Sequence, residues 1–210
     1  GTTMFERVLP GADRMYPDTD SAPIPLSNSY IEELRKNIPS DIIDRIHQLQ
    51  SWNIPEDTYT FIFSRNYYPL IVKLIEELKL DPVYAGTFIG HTFKFIVGHY
   101  KSADVFNISQ IYDMFKFLNQ NHINHELAEY MLPVLYEHPK MDFESVLNSI
   151  QYTKISEEQI ISMIPFLKSK YQEIAINPSD VNSKNWIMGE LRRKAVGNIA
   201  LGKLSGYLTN

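Results

Sequence analysis

Cysteine is absent from the 210 residues. That excludes a disulfide framework, a thiolate nucleophile and any Cys-ligated zinc or iron–sulfur site. Long apolar runs are also missing. The most apolar uncharged run, residues 82–93, lies between Asp81 and Lys94 and contains Gly86, Thr87, Gly90 and His91. It is too short and too mixed to span a membrane. The start, Gly1 to Arg7, has no apolar signal-peptide core. Together these absences predict a cytoplasmic location. The recurring catalytic patterns are missing as well: there is no Gly-x-Ser-x-Gly elbow, no His-Glu-x-x-His and no Gly-x-Gly-x-x-Gly. Ser, His and Asp occur, but nothing in the sequence pairs them as a triad.

What is present is an ordinary globular composition, 44% hydrophobic and 21% charged, which excludes collagen-like and fully disordered classes. Residues 1–26 hold Pro10, Pro17, Pro23 and Pro25 without periodicity, and read as an extended connector. After Leu26 the sequence turns helical. Asn28 or Ser29 is a candidate cap for a helix with Ile31, Leu34 and Ile38 on one face. Asp81-Pro82 pairs a cap with a first-turn proline. Asp142 opens residues 143–150, and Ser156-Glu157-Glu158-Gln159 fits a capping box. Thr58–Phe63 alternates weakly but follows a helix-start signal, and reads as helix. Pro133 is expected to kink or break the helical stretch 126–136. A last helical stretch is expected from about Asp180 to the C-terminus. The pattern predicts an all-α fold, a multi-helix domain followed by a small helical tail subdomain.

Three local motifs invite chemistry. Gly197-Asn198-Ile199-Ala200-Leu201-Gly202-Lys203-Leu204 nearly spells a P-loop, but Leu204 replaces the magnesium-holding hydroxyl and no strand precedes it. It reads as a chance match. His122-x-x-His125-Glu126 has the i, i+3 spacing of metal ligands, but falls in a polar turn with no third ligand to name. A free-standing enzyme using His122 and His125 is the reading that this motif keeps open. Among the 12% aromatic residues most read as core, and Tyr67 and Tyr68, beside Arg65 and Asn66, are the best exposed candidates for stacking on bases.

Charge is unevenly placed within the net −5. Residues 1–150 carry 12 Lys+Arg against 20 Asp+Glu, a net of −8; residues 151–210 carry 8 against 5, a net of +3. The basic end contains Lys154, Lys168, Lys170, Lys184, Arg192, Arg193, Lys194 and Lys203, densest at Arg192-Arg193-Lys194. Such a group reads either as a solvated helix face or as a set of phosphate contacts.

Several segments resemble one family. Asp13-Arg14-Met15-Tyr16-Pro17-Asp18-Thr19-Asp20, followed by Pro23 and Pro25, resembles the Arg-Met-Tyr-Pro-Glu-Thr-Asp segment of the glutamyl-tRNA(Gln) amidotransferase B subunits and their archaeal relatives, the E subunits. Residues 30–37 resemble the family's helix after that connector, and Asp81-Pro82-Val83-Tyr84-Ala85 is similar to its Asp-Pro-x-x-Ala-Ala helix start. Trp186-Ile187-Met188-Gly189-Glu190, then Arg193-Lys194-Ala195, is similar to the Met-Gly-x-Val-Met…Arg-Gly-Lys-Ala pattern of its YqeY-like tail. Val196-Gly197-Asn198 departs from that pattern where the family continues into a long final helix. Tyr16 and Thr19 place the resemblance closer to the E type.

The resemblance implies a connector over 1–26, a helical domain over 27–152 and a YqeY-like tail over 153–210. It implies an ATP-dependent carbon–nitrogen ligase whose ATP, magnesium and catalytic residues lie in a cradle domain upstream, so that this region has no catalytic residue, metal or cofactor of its own. Its partners would be tRNA(Gln) or tRNA(Asn) and the amidase subunit that delivers ammonia. The expected tRNA contacts are Lys168, Lys170, Lys184, Arg192, Arg193, Lys194 and Lys203. The competing reading is an all-helical protein–protein scaffold without RNA contact, which the acidic body suits.

Overall fold

A computed structural model describes residues 1, 25–36, 38, 40–176 and 179–208. The connector motif at Asp13–Asp20 lies outside the described residues. The described residues are helices and their connections, without a strand among them, so the fold is all-α. The chain divides into two compact units, residues 1–41 and 42–210.

In the first unit, α1 (Asn28–Lys36) buries no residue. Its cap is Ser27, one residue before the expected ones: the Ser27 Oγ accepts from the Tyr30 N–H at 3.2 Å.

The second unit opens with α2 (Ile42–Ser51) and a 3₁₀ turn at Glu56–Thr58 that leads into α3 (Tyr59–Ser64), so residues 58–63 are helical as expected. Next come α4 (Tyr68–Glu76) and α5 (Pro82–Thr87), which passes through a π-helical turn at Phe88–Phe93 into α6 (Lys94–His99). Asp81 caps α5 by accepting from the Tyr84 N–H at 2.8 Å. Gly90 lies where this long helix crosses the 3₁₀ turn; a Cβ there would sit 2.3 Å from the Thr58 Cβ. The body continues with α7 (Ser109–Gln120), α8 (Ala128–Glu137) and α9 (Phe143–Ser149).

Two expectations are corrected here. Helix α8 runs through Pro133, so the proline does not break the stretch. The proline removes the bond to the Glu129 carbonyl, but Glu129 and Tyr130 are on the exposed side, where water can take that acceptor. Burial of Met131, Leu132 and Leu135 holds the other side. Tyr67 and Tyr68 are not exposed candidates. Tyr68 is 8% exposed, and the Tyr67 ring packs against Phe61 at 5.4 Å and Phe93 at 5.6 Å.

The remaining helices are α10 (Glu157–Ser162), α11 (Ile164–Ile174), α12 (Asp180–Ala195) and α13 (Leu201–Tyr207). Ser156 and Gln159 form the full capping box ahead of α10. These helices share a second core of Ile160, Ile164, Leu167, Ile187, Leu191, Ala195, Ile199, Leu204 and Leu208, separate from the body's.

The helical stretch expected from about Asp180 is two helices, interrupted at residues 196–200. Gly197 has φ +85°, a conformation that ends α12 and that only glycine adopts without strain. Val196 turns into the body core, and a Cβ on Gly197 would meet the Tyr152 ring at 2.7 Å. The Asn198 side chain then makes four hydrogen bonds. Its Oδ1 accepts from the Tyr152 hydroxyl at 2.8 Å and the Ile155 N–H at 3.0 Å. Its Nδ2 donates to the Thr153 and Lys194 carbonyls, both at 2.9 Å.

The polar turn 121–127 receives this joint. The Asn124 N–H donates to the Gly197 carbonyl at 2.8 Å, and Glu126 Oε2 accepts from the Leu201 N–H at 3.1 Å. Tyr84 reaches the turn from the other side and donates its hydroxyl to the His125 carbonyl at 2.8 Å. Burial pushes the Tyr84 phenol well above its ordinary range.

Three substitutions test these packing arguments by urea denaturation. Gly90→Ala is expected to lower stability by about 1–3 kcal/mol through overpacking against Thr58. Gly189→Ala, mid-helix in α12 with nothing within 4 Å of the added Cβ, is expected to raise it by about 0.5–1 kcal/mol. Asn198→Ala is expected to cost about 1–3 kcal/mol by leaving the Ile155 N–H unpaired and the Tyr152 hydroxyl with only the long bond to the Gly197 carbonyl, 3.5 Å. It should also speed amide exchange at Ile155 more than at residues of the body core.

Candidate nucleic-acid interface

The seven cations named from the sequence fall into separate places. Lys168, near the middle of α11, and Lys184, in the first part of α12, line one groove of 580 Å³ with Gln172, Ser183 and Asp180 over Ile187. Lys170, two residues on, projects from the other side of α11, with its ammonium 5.9 Å from the centre of the Trp186 ring. The Tyr171 ring, 5.7 Å from Trp186, backs that contact. A cation held over an indole face keeps its charge and its exposure, because the ring replaces only part of its water shell.

Arg192-Arg193-Lys194, densest in the sequence, diverges in space. Consecutive residues of an α-helix point about 100° apart, so neighbours in sequence do not share a face. Arg192 turns to the body and donates its Nε–H to the Tyr130 hydroxyl at 3.2 Å. That bond, with Glu129 and Glu126 nearby, holds its guanidinium still more firmly protonated. Arg193 donates to the Gln151 side-chain oxygen. Gln151 reaches it because it sits in the left-handed region, φ 57°, just after α9. Lys194 points the other way, with its Nζ 3.9 Å from the Met163 sulfur.

Lys203, on α13, pairs with Glu157 at 2.6 Å, and that bond raises its pKa. A lysine paired in this way offers less to a phosphate than Lys168 or Lys170, since the carboxylate must first be displaced.

Arg192 and Arg193 share a cavity of 350 Å³ between α12 and the body. Tyr130, Gln151 and Tyr152 line it from the body side, and Gly189 from α12. None of these four is marked as functional by composition or spacing. The one sequence signal is Gly189 itself, a glycine in the interior of a helix where packing does not demand one.

The other motifs are absorbed by structure. The near P-loop of residues 197–204 is the joint between α12 and α13, with no strand before it among the described residues. His122 has φ 54°, so His122 and His125 do not share a helical face. His125 is bonded to Asn119 and set edge-on to the Phe115 ring at 5.8 Å, and burial lowers its pKa. Among the described residues no three His, Asp or Glu side chains converge on a point where a metal would sit. No described helix is long and apolar enough to cross a membrane.

Comparison with known proteins adds a single consistent result. No family model matches the chain, and no solved structure matches it. Curated relatives do, among them E-type subunits of glutamyl-tRNA(Gln) amidotransferase. The one from Methanocaldococcus jannaschii is 25% identical over 212 residues, covering 100% of this chain and 33% of the relative. The one from Thermococcus sibiricus is 27% identical over 215 residues, covering 100% and 32%. The one from Methanobrevibacter smithii is 21% identical over 204 residues, covering 95% and 33%. The chain is thus similar along nearly its whole length to archaeal glutamyl-tRNA(Gln) amidotransferase E subunits, and spans about a third of theirs.

Proposed function

We propose that this chain is the helical and tail region of a Glu-tRNA(Gln) amidotransferase subunit, and that it holds the mischarged tRNA while the chemistry takes place elsewhere. The observation that carries the reading is the end-to-end similarity to subunits named for that tRNA. The concentration of cations on α11 and α12 agrees with it. In the intact protein, ATP and magnesium would be bound by a cradle domain, and a partner amidase subunit would supply the ammonia. The residues of this chain would contribute binding alone. Fixing the tRNA body raises the effective concentration of its aminoacyl end at the distant reacting site without any group here touching it.

Residues 153–210 would then act as the tail subdomain, with recognition mainly through phosphate charge and shape. Lys168 and Lys184 suit phosphate contact best, since they line one groove. Lys203 suits it least, being paired to Glu157.

Filter binding of a tRNA(Gln) transcript across a salt series tests this. Affinity is expected to fall steeply with salt. Lys168→Glu with Lys184→Glu should weaken binding and lower the log–log salt slope by about two. An absence of binding by the wild-type chain at low salt would overturn the reading in favour of a protein–protein scaffold.

A further inference from the structure

The cavity between α12 and the body has a composition that simple phosphate contact does not require. Its floor is apolar: Leu127 is 4% and Val196 5% exposed. One wall is the Tyr152 ring, fixed in place by its hydroxyl bond to Asn198. The rim carries two guanidinium groups. Each spends a side-chain hydrogen bond on an uncharged acceptor, Tyr130 for Arg192 and Gln151 for Arg193. Among the described residues, neither is within ion-pair distance of a carboxylate, so both keep charge and further N–H donors for a ligand. On the α12 side the wall is missing a side chain. Gly189 lines the cavity, and a Cβ built on it meets nothing within 4 Å. A helix-interior glycine costs stability relative to alanine, and here its effect is to keep the space open. At 350 Å³ the volume lies at the small end of ligand sites.

We propose that this cavity accepts one unstacked nucleotide of a bound RNA, with its base against Tyr152, Leu127 and Val196 and its phosphate on Arg192 and Arg193. The proposal rests on the reading of the chain as RNA-binding. Its own content is that binding includes a base-sized slot as well as surface charge. Unpaired loop nucleotides of RNA present a flat apolar face next to an anionic phosphate, and aromatic and Arg side chains are their usual partners. The slot would read the presence of an extruded base, and would do so only while the joint at Gly197 and Asn198 holds α12 against the body.

The decisive variant is Gly189→Leu, which fills the slot with a better helix former and removes no cation. With a tRNA(Gln) transcript in filter binding, it is expected to weaken affinity about tenfold and to leave the salt slope unchanged. Its urea midpoint should be no lower than that of the wild type, which separates blocking from misfolding. Arg193→Gln is the second variant; it should weaken binding and reduce the slope by about one. Wild-type affinity in Gly189→Leu would overturn the slot, even where Lys168→Glu with Lys184→Glu still weakens binding. Failure of the wild-type chain to bind the transcript at any salt would overturn the slot together with the reading beneath it.

Discussion

The placement of every cation on α12 depends on one polar joint. Asn198 ties the end of that helix to Tyr152, Thr153 and Ile155, and Gly197 supplies the left-handed turn that brings Asn198 there. A side-chain amide with both its acceptor and its donor satisfied twice is a rigid connector, since rotation of the amide would break bonds on both sides. The turn at 121–127 completes the joint from the body, through Asn124, Glu126 and the Tyr84-braced carbonyl of His125. Two separate apolar cores are thereby held in register by hydrogen bonds, with Val196 and Leu201 as the apolar contacts that cross between them.

This joint also explains how an acidic protein presents a basic surface. Residues 42–150 of the body carry 8 Lys+Arg against 13 Asp+Glu, and the +3 end meets them along α12. Arg192 faces the acidic side and is steadied by Tyr130 near Glu126 and Glu129, while Lys168 and Lys184 line the groove between α11 and α12. The cations are therefore sorted by helix geometry into a groove, a cavity rim and an ion pair. Long-range attraction to an RNA would come from the whole end, and close contact from the few side chains that the groove and the rim present.

Much of the fold was legible in the sequence because caps are local. Asp81, Asp142 and Ser156 each announce a helix start, and each bonds as its position implies. The errors came where a local rule met tertiary packing. Pro133 did not end α8, because apolar burial on one face outweighed the lost hydrogen bond on the wet face. Tyr67 and Tyr68 read as surface residues from their polar neighbours, yet an aromatic core took them in. The break after Ala195 was visible only as a departure from the family's pattern, Val196-Gly197-Asn198, with no indication of the four bonds that the Asn198 side chain makes.

By itself the sequence determined the all-α class, the charge asymmetry and the kinship with the amidotransferase E subunits, since periodicity, composition and short motifs are properties of neighbouring residues. It also named the seven basic residues, without showing which of them act together. Tertiary structure alone decided that. Arg192, Arg193 and Lys194 are adjacent in the chain but diverge around a helix. Tyr130, Gln151, Tyr152 and Gly189 are distant in the chain but line one cavity. Proximity of that kind is set by how helices from two cores pack across a joint, and no local pattern encodes it.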